Sequence, residues 1–229
     1  MKEKRINLFI FLPNFKLGGA GNAINLLCRF LNKKKFNIFI ISIGRCYYKN
    51  SLKKFTKKIY ELDTSRTLFS FLKINKILKK NTKVYDNTIF ISNINYVNVL
   101  SVIFIKILFR LKLILIERTP LYELKIYYSL IDYIKKNIVK FLMFLLYEKA
   151  DALVVNSSIA YEEFKKFKKN NLYKIYSPID LTKKFYFRKK ASNKFKIISI
   201  GRLEKEKNFR LLIEAFSKLS NNNVYLDIY

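Results

Sequence analysis

The sequence contains no histidine and no tryptophan, and it has only two cysteines, Cys28 and Cys46. Without histidine there is no Ser-His-Asp triad, no imidazole general base, no histidine metal ligand and no histidine pH switch. One pair of cysteines builds neither a disulfide framework nor a four-cysteine zinc site, and it suits a reducing compartment. The absences therefore exclude histidine-dependent hydrolases and the common zinc domains.

Acidic residues are also scarce: 16 Asp and Glu stand against 46 Lys and Arg, a formal net charge of +30 at pH 7. Three interpretations are open: nucleic-acid binding, attraction to an anionic membrane surface, and the lysine-rich composition that AT-rich coding sequences produce. Because only nine of the basic residues are Arg, we attribute a large part of the positive charge to the third interpretation. Specific nucleic-acid recognition relies on Arg, so we expect no specific nucleic-acid partner.

No apolar run is suited to crossing a membrane. The longest, at residues 102–116, is interrupted by Lys106, Arg110 and Lys112, whereas a spanning helix needs about 20 mostly apolar residues. The apolar run at residues 6–13 lacks a small-residue cleavage site, so no signal peptide is predicted. We expect a cytoplasmic location, with peripheral contact between residues 102–149 and the cytoplasmic face of an anionic membrane left open.

The order of apolar runs predicts an α/β fold with a doubly wound parallel sheet. Residues 5–12 form a continuous apolar run typical of a buried parallel strand, and a Gly-rich turn and a helix at residues 22–32 follow it. Further strands are predicted at residues 36–43, 57–62, 87–92, 112–117, 151–156 and 172–176, and further helices at residues 67–80, 97–109, 123–149 and 157–169.

A second unit is predicted after residue 194. Residues 181–194 are polar, basic and without periodicity, which indicates a linker between a domain at residues 1–180 and a unit at residues 195–229. That unit holds one strand, one helix and one more strand. A single strand-helix-strand cannot close a core, so we expect it to be the incomplete start of a second α/β domain.

Four strand ends carry unusual residues, and open α/β sheets bind ligands at the carboxyl ends of strands. Gly18-Gly19-Ala20-Gly21 suits a close turn that brings backbone N–H groups towards a ligand near a helix N-terminus, although its spacing fits neither the dinucleotide nor the P-loop pattern. A flexible turn explains it at least as well. Glu117-Arg118 is explained better by a surface ion pair than by a site, and the serines at Asn156-Ser157-Ser158 are explained by helix capping.

The fourth strand end, Gly201-Arg202-Leu203-Glu204-Lys205-Glu206-Lys207, favours a functional interpretation. Gly201 interrupts the strand, and Arg202 and Lys207 flank the short loop before the next helix. Two fixed cations near a helix N-terminus suit a diphosphate, because they offset the charge that develops on a departing phosphate.

Several of these segments resemble those of one protein family. The run IISIGRLEKEKNFRLLIEAFSKL at residues 197–219 resembles the start of the nucleotide-sugar domain of family 4 glycosyltransferases, which have the GT-B fold. Gly18-Gly19-Ala20 is similar to the glycine loop of that family's acceptor domain. Glu117-Arg118 is similar to the Glu-Arg loop of members that transfer amino sugars. ADALVVNSS and Tyr176-Ser177-Pro178-Ile179-Asp180 match the approach to the interdomain linker, where the family more often has Asn before Pro.

The resemblance covers essentially the whole chain and implies a GT-B N-terminal Rossmann-like domain followed by the first strand-helix-strand of a second one. It implies a retaining transfer of sugar from a nucleotide-diphosphate sugar to a lipid-linked or cell-surface glycan, without a bound metal or other cofactor. Arg202 and Lys207 match the pair that holds the donor diphosphate, beside Gly201. Gly18 and Gly19 match the loop near the donor phosphates, and Glu117 and Arg118 are acceptor-side candidates.

Two departures from the family pattern leave alternatives open. The family's Glu-x7-Glu motif lies later in the second domain than Tyr229, so the catalytic residues stay unassigned, and the histidine that many members place near the acceptor is absent. The chain is therefore either a glycosyltransferase that is incomplete as given, an inactive truncated remnant, or a non-enzymatic basic protein that binds membranes. The donor sugar, the acceptor and the linkage are not readable from the sequence.

Overall fold

The structure is a computed structural model that describes residues 5–81, 87–180, 195–201, 203, 207–219 and 223–229. The chain divides into two compact units, Met1–Asp180 and Leu181–Tyr229. The linker predicted at residues 181–194 lies outside the described residues.

A seven-stranded sheet forms the centre of the first unit. Its strands are β1 (Ile6–Phe11), β2 (Phe36–Ser42), β3 (Lys58–Glu61), β4 (Thr88–Asn93), β5 (Lys112–Glu117), β6 (Ala152–Val155) and β7 (Leu172–Lys174). They lie in the order β3-β2-β1-β4-β5-β6-β7, and every neighbouring pair is parallel. The predicted parallel α/β sheet is therefore confirmed.

Helices connect the strands of the first unit. They are α1 (Gly19–Phe30), α2 (Lys49–Leu52), α3 (Thr67–Asn81), α4 (Asn95–Ser101), α5 (Leu130–Leu146) and α6 (Ser158–Phe164), with 3-10 turns at Leu121–Lys125 and Tyr147–Lys149. The single helix predicted at residues 97–109 is instead α4 followed by a π-helix, Val102–Leu108. The N–H of Phe109 accordingly donates to the backbone oxygen of Phe104, five residues earlier, at 3.3 Å.

Both faces of the central strands are buried, which explains why these strands are continuous apolar runs. Along β1, Leu8 and Ile10 pack on the side covered by α1 and α2. Phe9 and Phe11 pack on the opposite side, with residues of α3, α4, the π-helix and α5. Alternate residues of one strand thus supply two separate cores, as the period of two requires.

The second unit contains β8 (Phe195–Ser199), α7 (Phe209–Ser217) and β9 (Val224–Ile228), and its two strands pair in parallel. The order strand, helix, strand agrees with the sequence-based prediction. No side chain of α7 is buried.

Within the described ranges, no helix combines the length and the apolar character needed to cross a bilayer.

Candidate functional site

The carboxyl ends of all seven strands of the first unit meet at one edge of the sheet, because every pair is parallel. β1 lies between β2 and β4, so the chain leaves β1 to one side and later returns to build the sheet on the other. Ligands of open α/β sheets bind in the crevice at such a switch point. The turn after β1 and the turn after β4 border this crevice.

The turn after β1 ends at an open helix terminus. Gly18 has φ 154° and ψ 179°, a conformation that is essentially restricted to glycine, and α1 starts at the next residue. Among the described residues, no side chain caps this terminus, and its first turn carries no acid. The first N–H groups of α1 and the positive end of its dipole are therefore open to an anion; the binding of donor phosphates by Gly18 and Gly19 stays a prediction.

Tyr48 holds the glycine turn in place. The N–H of Gly18 donates to the Tyr48 hydroxyl at 3.3 Å, and that hydroxyl lies 3.3 Å from the backbone oxygen of Gly18. A Cβ added at Gly21 would come within 2.6 Å of Cε2 of Tyr48 and 2.9 Å of the backbone oxygen of Lys16. At Gly19, nothing lies within 4 Å of an added Cβ. Close packing therefore requires Gly21, whereas Gly19 borders open space.

The turn after β4 is strained and ties three strands together. Ile94, a β-branched residue, has φ 81°, which lies in the left-handed region that such residues rarely adopt. The buried Asn93 beside it donates from Nδ2 to the backbone oxygen of Phe11 at 3.1 Å, and its Oδ1 accepts from Nε of Arg118 at 3.3 Å. Asn93 thus connects the ends of β1, β4 and β5 at the switch point.

Glu117, the last residue of β5, is buried, with only 1% of its surface exposed. Its Oε1 accepts from Nδ2 of Asn98 at 2.7 Å and from the hydroxyl of Tyr147. Burial raises the pKa of Glu117 to about 7, although both hydrogen bonds act in the opposite direction. Because its carboxyl group lies within the core, this arrangement favours a role in positioning the strand end; its acceptor-side role stays a prediction.

Of the two acceptor-side candidates, Arg118 is placed better than Glu117 to contact a ligand. It is partly buried, and burial lowers the pKa of its guanidinium group. In the part of the chain that the structure describes, no carboxylate forms an ion pair with it. Its backbone oxygen accepts from Nδ2 of Asn156 at 3.2 Å, which connects the ends of β5 and β6.

Arg118 also lines an apolar cavity of about 390 Å³ beside α1. Other residues lining it include Ala23, Leu27, Phe30, Ile116, Val154 and Tyr176. A cation beside apolar side chains suits a ligand that carries both an anionic and an apolar part.

A second cavity, which the sequence did not indicate, lies beyond β2 and β3. Its volume is about 510 Å³, and Arg45, Lys49, Glu61 and Asp63 are among the residues that line it. Glu61 accepts from the N–H of Cys46 at 2.8 Å and pairs with Lys49, and these two hydrogen bonds lower the pKa of Glu61. In the sequence, these charges look like an ordinary solvated loop, which is why they were missed.

In the second unit, Gly201 and Lys207 lie close together before α7. The N–H of Gly201 donates to the backbone oxygen of Tyr229 at 2.9 Å, and a Cβ added at Gly201 would lie 3.5 Å from the Lys207 side chain. Asn208, with φ 46°, caps α7 by accepting from the N–H of Leu211 at 3.4 Å. Lys207 is exposed beside this helix start. Arg202, predicted to act with it, lies outside the described residues.

No protein-family model matches the chain, and no curated protein sequence does. Solved structures are similar to it. HepE of Anabaena, in complex with UDP and glucose, has a TM-score of 0.68 and 14% identity over 98% of this chain and 60% of its own. The lipopolysaccharide outer core galactosyltransferase WaaB, in its apo form, has a TM-score of 0.59 and 14% identity over 97% of this chain and 60% of its own.

UGT2 of Phytolacca americana, in complex with UDP-2-fluoroglucose and pterostilbene, has a TM-score of 0.59 and 11% identity over 99% of this chain and 72% of its own. At such identities the likeness shows the fold alone, and that fold is GT-B. The chain spans about 60% of the length of HepE and of WaaB. Membership of family 4 and the truncation stay predictions.

Glu117→Gln is predicted to change how stability depends on pH. In the wild type, the unfolded chain loses this proton near the ordinary pKa of 4.5, whereas the folded chain keeps it until about 7. The contribution of Glu117 to the free energy of unfolding therefore decreases as the pH rises from 4.5 to about 7, and it is constant at higher pH. Urea unfolding from pH 4 to 8 should show that the Gln variant lacks this decline. The chain has no histidine that titrates in the same interval. The exposed Glu162→Gln is the control and should show the same decline as the wild type. Parallel profiles for the wild type and Glu117→Gln would contradict the assignment.

Gly21→Ala is predicted to lower the free energy of unfolding by about 1–3 kcal/mol, because the new methyl group overlaps the Tyr48 ring and a backbone oxygen. Gly19→Ala is the matched control, since its methyl group meets open space. Chemical denaturation of both variants measures the difference. Equal stability of the two variants would rule out the packing of Tyr48 against the glycine turn.

Proposed function

We propose that the chain belongs to a retaining glycosyltransferase that moves a sugar from a nucleotide-diphosphate sugar to a lipid-linked or cell-surface glycan acceptor. The observation that carries the proposal is the uncapped N-terminus of α1 at the switch point of the sheet. Backbone N–H groups and a helix dipole at that position suit the phosphates of a nucleotide donor. The GT-B fold, shared with HepE in its complex with UDP and glucose, supports this choice of ligand.

The second unit supports the same donor. The proposal assigns to Arg202 and Lys207 the binding of the donor diphosphate, where fixed cations stabilise the departing nucleotide. Lys207 is exposed immediately before α7, and Gly201 lies against its side chain. The role of Arg202 rests on the sequence pattern alone.

Arg118 supports an acceptor with an anionic group. Arg118 lines an apolar cavity, and its guanidinium group has no carboxylate partner among the described residues. The phosphate of a lipid-linked glycan, next to its apolar chain, has the matching chemistry. A truncated remnant or a non-enzymatic protein is not favoured.

The finer features of the proposal rest on the sequence resemblance. These features are membership of family 4, retention at the anomeric carbon, a reaction without a bound metal, and a cytoplasmic location at a membrane face. The catalytic residues stay unassigned, because the family places its Glu-x7-Glu motif later in the second domain than residues 195–229.

In an active preparation of the protein, Arg202→Ala or Lys207→Ala is predicted to lower kcat/KM for sugar transfer about 10- to 150-fold. Each substitution removes a charge-assisted contact worth about 1.5–3 kcal/mol. Release of labelled sugar from nucleotide-diphosphate donors onto lipid-linked or glycan acceptors measures the effect. Lys218→Ala is the control, because Lys218 is an exposed lysine at the other end of α7. Near-normal transfer by both variants would overturn the donor assignment.

A further inference from the structure

Helix α5 is apolar on two opposite sides, but the first unit covers only one of them. Val139, Leu142, Met143 and Leu146 pack on the core. The other side stays uncovered, with Leu130 74% exposed and Phe141 and Phe144 each 61% exposed. The remaining exposed apolar residues of that side are Ile131, Tyr133, Ile134, Ile138 and Leu145. A surface helix normally turns a polar side to water, so this uncovered apolar side is suited to a further apolar environment.

The segment before α5 extends the same apolar surface with aromatic residues. Tyr122, Tyr127 and Tyr128 are exposed, as is Ile126. The Tyr127 ring packs edge-on against Tyr133 of α5, with 4.8 Å between ring centroids. Tyrosine, with an apolar ring and a polar hydroxyl, is enriched where a membrane meets water. We refer to these residues, together with the exposed apolar side of α5, as the α5 surface.

Lysines border the α5 surface. They are Lys125, Lys135, Lys136 and Lys140. The sequence has two acids between residues 122 and 145, Glu123 and Asp132, and Asp132 pairs with Lys136 at 2.8 Å. A shallow cavity of about 350 Å³ on this surface has Lys140 and Lys166 in its lining, together with the aromatic residues Phe141, Phe144 and Phe167. This charge complements an anionic partner.

We propose that the α5 surface binds an anionic lipid bilayer. The apolar side chains of α5 enter the boundary between headgroups and acyl chains, and the bordering lysines contact lipid phosphates. The helix lies along the membrane and does not cross it, because its opposite side is packed on the protein core. The combination of a wide apolar stripe, tyrosines and flanking lysines fits a bilayer better than a second copy of this chain, which shares the same positive charge of +30.

The α5 surface lies on the edge of the sheet that carries the candidate site. Tyr147, just after α5, reaches Glu117 at the carboxyl end of β5. The 17 residues of α5 span about 25 Å, and none of its residues before Met143 is buried. Membrane binding there would bring the site to a lipid-linked acceptor, and this consequence alone rests on the proposed function.

Vesicle flotation of the 229-residue chain tests the proposal. The chain should float with vesicles of phosphatidylcholine and phosphatidylglycerol, and more weakly with phosphatidylcholine alone. Phe141→Glu/Phe144→Glu should lower partitioning onto the anionic vesicles at least about tenfold, because it places two charges where two rings enter the interface. Lys135→Gln/Lys140→Gln should lower it on the anionic vesicles only.

The matched control is Phe69→Glu/Leu72→Glu, which places two glutamates at the same spacing on the exposed side of α3. It should float like the wild type, and circular dichroism checks that each variant is folded. Three results would overturn the proposal: unchanged flotation of the folded α5 variant, equal partitioning onto both kinds of vesicle, or self-association through α5 without flotation. The assay needs neither donor nor acceptor. A chain that floats but transfers no sugar would therefore contradict only the proposed transferase, and one that transfers sugar but does not float would contradict only the membrane surface.

Discussion

The parallel pairing of all seven strands is the constraint on which the rest of the first unit depends. It brings every carboxyl strand end to one edge, and it requires apolar cover on both faces of the sheet. β1 meets both demands, since Leu8 and Ile10 pack on one face and Phe9 and Phe11 on the other. Polar and charged groups are therefore concentrated where the strands end, and that edge is where the candidate site lies.

The alternation of side chains along a strand also gives two neighbouring residues at the end of β5 different surroundings. Glu117 is enclosed by Asn98 and Tyr147, whereas Arg118 lies beside Asn93 and lines a cavity. The buried carboxyl group connects the strand to α4 and to the end of α5, whereas the guanidinium group donates to Asn93 at the switch point. The strained Ile94 lies between these two environments, consistent with a backbone held in place by its surroundings.

The strands and their parallel sheet were predictable, because buried parallel strands are short continuous apolar runs between turns. The π-helix was not, since an apolar run such as VIFIKIL has the same composition in either helix type. The burial of Glu117 depends on Tyr147, thirty residues away, and no local pattern indicates that contact. Residues 123–149 were predicted as helical, but only tertiary structure reveals that one apolar side of α5 is uncovered.

The central claim is that the N-terminus of α1 binds the phosphates of a nucleotide donor. Amide chemical shifts of the isotopically labelled chain, titrated with uridine diphosphate at a salt concentration that screens non-specific attraction, test it directly. The account predicts saturable shifts at Gly18, Gly19 and Ala20 that exceed those at the start of α3. Absence of shifts at these three amides, or shifts spread evenly over lysine-rich surfaces, would contradict it.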